Sequence, residues 1–420
     1  MGLTEHPLRR DLVREMHLRR FAPVQAPARL VQMIYLVDKE ERQAELERLA
    51  NPVGKAAKTI EQESRHALIA IDEDIRFLWE RQTEATTITA LVEGRDMGRL
   101  DALVEWMMEW PGAVVRATKL YVEPEEEAAK NCLPDMRFVE QDLVSCCINA
   151  GVRMWSDFRI REDGFGRMLL AGQAGGPDEL GRIVQRLQEL GNYRNLALLG
   201  LPPVQRLMPE LNRLEDDLAR QSQKLGELGE EEFDDDALLH DLSRLSAEMA
   251  RIRAENSYRL GATQAYAQIA GDRLETLEIK PLPGYQSLSD FTERRLVPAM
   301  RTCETFANRL RRIAERSSDA IALLNTRIDT RIKAQNLDLL KSMESSFSLQ
   351  LRLQNLVEAL SVIAASYYAV GLIAFMVKGW KAFPDGDSTD IILGIATPGI
   401  VLLIFILVGV IRKRVVDETK

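Results

Sequence analysis

The sequence predicts an α+β protein: an N-terminal α/β domain, a helical layer with one very long stalk helix, and two C-terminal transmembrane helices. Three observations carry the prediction. Strand-like segments rich in β-branched and aromatic residues are confined to residues 1–175. From Tyr285 to Val370 there is no glycine, and Pro298 is the only proline. Two uncharged apolar runs then close the chain.

In residues 1–175 the predicted strands are Arg29–Val37, Arg76–Leu91, Ala113–Val122, Leu143–Ala150 and Val152–Arg161. Helix-like pieces, Glu40–Ala50 and Arg99–Trp110, lie between them. This order predicts a mixed or mostly antiparallel sheet in a cytoplasmic domain. Gly172–Pro177 (GQAGGP) marks the passage into a helical region, 176–284. There Pro177–Leu201 is amphipathic and meets Pro202-Pro203, while Val204–Leu225 and Asp236–Ala270 flank an acidic turn. An antiparallel helical layer follows from that pattern, interrupted at Pro281, Pro283 and Gly284.

The stalk, 285–358, leads straight into the first apolar run. As one helix, Ala299–Val377 would measure about 118 Å at 1.5 Å per residue. Its apolar residues, among them Ile313, Ile321, Ile328, Leu339, Phe347, Leu353 and Leu360, recur at helical spacing. A helix this long with such a stripe implies a bundle or self-association. Between Phe291 and Glu358 there are 12 Arg/Lys against 8 Asp/Glu, a net +4 suited to anionic lipid heads.

The spans are Ala359–Val377, 19 residues, and Ile391–Ile411, 21 residues, each without a charge. Either length crosses roughly 30 Å of hydrocarbon as a helix. Between them lies an outer loop, 378–390, and after them a tail, 412–420, that opens with Arg412-Lys413-Arg414. The basic tail predicts that both chain ends face the cytoplasm. Residues 3–20 are studded with arginine and lack the apolar centre of a secretory signal. Four cysteines, Cys132, Cys146, Cys147 and Cys303, are too few for a disulfide framework and fit a reducing compartment. The lipid bilayer is therefore an expected partner. A net charge of −9 argues against nucleic acid as another. The mean hydropathy of −0.18 averages a polar body with an apolar hairpin.

Catalytic chemistry finds no support. His6, His17, His66 and His240 show no metal-ligand spacing, and Cys146-Cys147 sits in an apolar strand where cysteine acts as a small hydrophobe. No phosphate-loop, dinucleotide-binding or nucleophile-elbow motif occurs, and Gly164-Phe165-Gly166 reads as a turn between strands. The expectation is a protein that is not an enzyme and holds no cofactor. The acidic run Glu227–Asp241 has eight carboxylates and no Lys or Arg. Glu230, Glu231, Glu232, Asp234, Asp235 and Asp236 are its candidate ligands for a divalent cation. A solvated loop between helices is the commoner use of such a run. The first span contributes Ser361, Ser366, Tyr367, Tyr368 and Gly371 as polar or small positions. Neither span contains a charge, which disfavours a charge-coupled transporter but not a pore lined by hydroxyls.

Five stretches carry a resemblance: His6–Phe21, Arg159–Leu169, Asn192–Pro202, Glu293–Glu304 and Leu349–Val362. They resemble an uncharacterised family of bacterial membrane-anchored proteins, which implies an inner-membrane location and supplies no catalytic residues. The order of domains also resembles the CorA-type magnesium channels. That resemblance implies a homopentamer with the first span around a pore, and candidate pore positions Asn355, Ser361, Tyr368 and Gly371 on one helix face. The Gly-Met-Asn signature of those channels has no counterpart near Val377–Trp380, and Lys378 and Lys381 stand where cations would enter. Two functions remain open: a CorA-like homo-oligomeric ion channel or transporter, or a membrane-anchored coiled-coil scaffold or sensor binding a cytoplasmic partner.

Overall fold

A computed structural model describes residues 3, 5–10, 12–13, 22–52, 65–227, 234–379 and 387–417. It falls into two compact units, Met1–Ile321 and Ala322–Lys420.

The first unit is built on a nine-stranded sheet. Its strands are β1 (Ala28–Leu36), β2 (His66–Ala70), β3 (Ile75–Arg81), β4 (Ala85–Glu93), β5 (Ala113–Glu123), β6 (Val144–Ile148), β7 (Val152–Ser156), β8 (Gly166–Ala171) and β9 (Lys280–Pro281). They lie in the order β2-β3-β4-β1-β5-β8-β7-β6-β9. Every pairing is antiparallel except β5 with β8. The mostly antiparallel sheet is as the sequence predicts.

Helices cover both faces of the sheet. Those of the first part are α1 (Arg42–Leu49), α2 (Asp101–Met108) and α3 (Glu126–Met136). They are followed by α4 (Pro177–Leu198), α5 (Leu201–Glu227), α6 (Asp235–Thr276), α7 (Leu288–Gly379) and α8 (Asp387–Asp417). Central strand β1 is apolar almost throughout because it is buried on both sides. Leu30 and Ile34 share a core with Leu120, Val122, Met168 and Leu170 and with Leu180, Ile183, Leu187 and Leu190 of α4. Val31, Met33 and Tyr35 point the other way, into a core with Phe77, Trp79, Leu49, Leu103, Met107 and Trp110. A smaller cluster sets Ala129 of α3 against Trp155 and Leu169. The passage at residues 175–176 thus separates strands from helices without separating two cores. Gly172, Gly175 and Gly176 all take positive φ there, and Pro177 opens α4.

Several predicted elements change. The single strand Arg76–Leu91 is a hairpin, β3 and β4, closed where the Gln82 amide donates to the Ala85 carbonyl at 2.8 Å. No glycine or proline announces that turn. β7 stops at Ser156, short of Arg161, because Ser156 Oγ and Asp157 Oδ1 accept the amides of Phe158 and Arg159, both at 3.2 Å. α7 starts at Leu288, three residues into the predicted stalk, 285–358: Ser287 Oγ accepts the Asp290 amide at 3.1 Å, and Pro298 is carried inside the helix.

Candidate functional site

The described residues of Ala322–Lys420 are helical, comprising the later part of α7 and all of α8. α7 contains the one helix among the described residues that is long and apolar enough to cross a membrane. Gly394–Val410 is a shorter apolar stretch within α8, inside the second predicted span.

The surface of α7 near the first apolar run is where sequence and structure meet. Leu349, Leu353, Leu356, Leu360, Ile363 and Tyr367 follow one another at alternating steps of four and three, and each is at least 59% exposed. Steps of four and three keep these side chains on a single face when helices coil about each other. Leu340, Met343, Phe347 and Leu351 form a second exposed group, beside Lys341, Glu344 and Arg352. Helical spacing read along the whole stalk picks out only Leu353 and Leu360 of the six; the leucines alternating at four and three from Leu349 are the signal that completes the set.

The candidate pore positions divide. At 3.6 residues per turn, Ser361, Tyr368 and Gly371 lie within about 80° of one another around α7. Asn355 is turned about 120° away from Ser361, since six residues make one and two-thirds turns. By spacing alone, three of the four candidates share a face of α7 and Asn355 stands apart from them. Ser361 Oγ donates to the Val357 carbonyl and Ser366 Oγ to the Val362 carbonyl, both at 2.7 Å, so each hydroxyl is satisfied within its own helix. Val362 and Ser366 are buried, unlike the exposed Tyr367 and Tyr368 beside them.

Of the acidic run, Glu230, Glu231 and Glu232 lie outside the described residues. Asp234 is the N-cap of α6, accepting the Ala237 amide at 3.0 Å, so its carboxylate offsets the unpaired first-turn donors. Asp235 is buried and Asp236 exposed, while Asp241 accepts from Gln221 Nε2 on α5 at 3.1 Å. Among the described residues no three His, Cys, Asp or Glu side chains converge to hold a metal ion.

The other sequence-marked groups are structural where they are described. Cys146 is buried in the α4-facing core, and loss of hydration pushes its thiol up to about 11. His6 Nδ1 accepts the Leu8 amide at 3.2 Å, and Arg9 and Arg10 both pair with Glu5 at 3.1 Å. His17 lies outside the described residues.

The nine-stranded sheet, its helices and the long α7 together define an α+β protein in which one described helix is long and apolar enough to cross a membrane. The chain matches the family described as protein of unknown function (DUF3422) over residues 4–415, and it belongs to that family. No curated protein matches it.

Proposed function

We propose that this is a bacterial inner-membrane protein that self-associates along α7 and carries its sheet unit in the cytoplasm as a scaffold or sensor. The observation that carries the reading is the exposed stripe Leu349–Tyr367. Lipid accounts for the exposure of Leu360, Ile363 and Tyr367 inside the apolar run. It does not account for Leu349, Leu353 and Leu356, which alternate with Arg352 and Glu358 ahead of that run. A second copy of the same helix, in parallel, meets leucine with leucine at the four levels from Leu349 to Leu360.

Full-length protein in detergent, sized by light scattering, tests this reading. A multiple of the 47.5 kDa chain mass is expected, falling to one chain in Leu353→Glu/Leu356→Glu. A monomeric parent, or recovery in the soluble fraction after carbonate washing of membranes, removes the proposal. The shared face of Ser361, Tyr368 and Gly371 favours a second reading, ion conduction along an oligomer axis. Flux in proteoliposomes that Tyr368→Leu abolishes would support it, and absence of flux for any cation or anion would leave the scaffold or sensor.

A further inference from the structure

A cavity of about 210 Å³ lies between the α4-facing side of the sheet and α4. Its chemistry departs from the core around it. On β5, Leu120 and Val122 point to this side, and the same alternation brings Thr118 and Arg116 onto it. A hydrophobic residue is the default there. Arg116 is instead 9% exposed, with Nη1 donating to the amide oxygens of Asn192 at 2.8 Å and Gln32 at 3.2 Å. From α4, Arg194 enters the same cavity, 8% exposed, stacked 4.5 Å from the Phe158 ring centre and with its buried Nη1 lacking any hydrogen-bond acceptor.

Among the described residues neither arginine has a carboxylate partner. The nearby acids are already engaged: Asp157 accepts Arg161 at 2.5 Å, and Asp163 accepts Lys119 at 2.9 Å. Arg167 also borders the cavity, but its Nη1 donates to the Asp135 carbonyl at 2.9 Å and its Nη2 lies 3.8 Å from Asp163, so its charge is already engaged. Burial and the neighbouring Arg194 push Arg116 down to about 9, and burial with nearby Arg295 pushes Arg194 down to about 10. Both therefore remain cations at neutral pH. Helix α4 accommodates the crowding with a glycine, because a Cβ on Gly191 would stand 2.8 Å from the Arg116 guanidinium.

Burying an unpaired cation costs several kcal/mol, and two that repel each other cost more. Planar guanidinium forks match phosphoryl and carboxylate oxygens, and two forks whose nearby acids are already paired elsewhere match a dianion best. Thr118 and Asn195 add neutral polar groups to the wall, and exposed Val114 and Ile160 border it towards solvent. We propose that this cavity is a binding site for a small phosphoryl dianion, inorganic phosphate or a soluble phosphomonoester, held by Arg116 and Arg194. The GFG turn (Gly164–Gly166) contributes both its glycines to the wall, so the turn expected from the sequence also shapes the site.

The test uses full-length protein in detergent, titrated with inorganic phosphate and separately with glycerol 3-phosphate, each against chloride at equal ionic strength. Saturable calorimetric binding and broadening of the phosphate ³¹P line are expected. Competition between the two ligands would show one site, and the tighter of them identifies the source. Arg194→Met and Arg116→Gln should each weaken binding at least tenfold. Without ligand, Arg194→Met should melt no lower than the parent, because it removes an unpaired buried charge. No response of the parent beyond that to chloride overturns the proposal, and so does unchanged affinity in both variants. If one variant fails to fold, the parent's ³¹P result and the other variant still decide.

Discussion

Glu45 offers the sharpest test of how the sheet unit is held together. It is fully buried on α1 and accepts from three donors, with Arg81 beside it as an ion-pair partner. Oε1 accepts the indole N–H of Trp79 at 3.2 Å and of Trp110 at 3.4 Å. Oε2 lies 3.1 Å from Arg42 Nη1 and 3.5 Å from Arg81 Nε, whose side chains are 19% and 18% exposed. Glu45→Ala leaves those guanidiniums without their anion and the buried indoles without an acceptor. Removing one member of a buried pair costs about 3–5 kcal/mol. Glu45→Gln keeps the volume and one acceptor oxygen, so the loss is about 1.5–3 kcal/mol, that of a charged hydrogen bond. With a urea dependence of about 3 kcal/mol per molar, the Ala midpoint should fall by roughly 1–2 M and the Gln midpoint by roughly 0.5–1 M. Tryptophan fluorescence of the full chain reads the transition, since Trp79, Trp106, Trp110 and Trp155 all lie in this unit. Adding Arg81→Met to Glu45→Ala should restore part of the loss by removing one stranded charge. An Ala variant as stable as the parent, or a double variant no better than Ala alone, would refute the reasoning.

Three further outcomes follow from single contacts. Gly181→Ala builds a Cβ 2.4 Å from the Ala22 carbonyl oxygen, which is backbone, so a cost of about 1–3 kcal/mol should appear as a lowered melting temperature, and an unchanged one would contradict the close approach of that segment to α4. Arg259 on α6 grips Glu84 in the β3–β4 turn with two bonds, 2.9 and 2.7 Å; lysine has no fork, so Arg259→Lys should lower the melting temperature by a few degrees, and a variant equal to the parent would show the pair to be idle. Cys146 should resist a thiol reagent at pH 8 in the folded protein. Its folded pKa is raised, so its contribution to stability is complete below the ordinary thiol value, about 8.5, and is lost as pH rises towards about 11. Cys146→Ala should flatten that alkaline loss, and an identical pH profile in the variant would argue against the assignment.

What could be read from the sequence depended on whether a residue's neighbours were local. β1, β5 and β6 were legible because Val, Ile and Tyr runs satisfy their own pleat. β8 was not, since Gly166-Arg-Met-Leu-Leu-Ala is strand only because β5 supplies a parallel partner and α4 a cover. The first turns of α7, ahead of Pro298, begin where one hydroxyl, Ser287, accepts the Asp290 amide. The candidate sites divide in the same way. The stripe from Leu349 to Tyr367 is a periodicity within one helix, and spacing alone can reveal it. The Arg116–Arg194 cavity joins a strand and a helix 78 positions apart, and in the sequence each arginine looks like an ordinary polar residue. The signal at Arg116 was its place in AVVRATKLYV, a charge on the inward register of a strand whose other inward residues are Thr118, Leu120 and Val122. A cation in that register requires a buried partner, and among the described residues no carboxylate fills the role. The strongest functional hint therefore comes from an unmet electrostatic requirement, which appears only once the chain is folded.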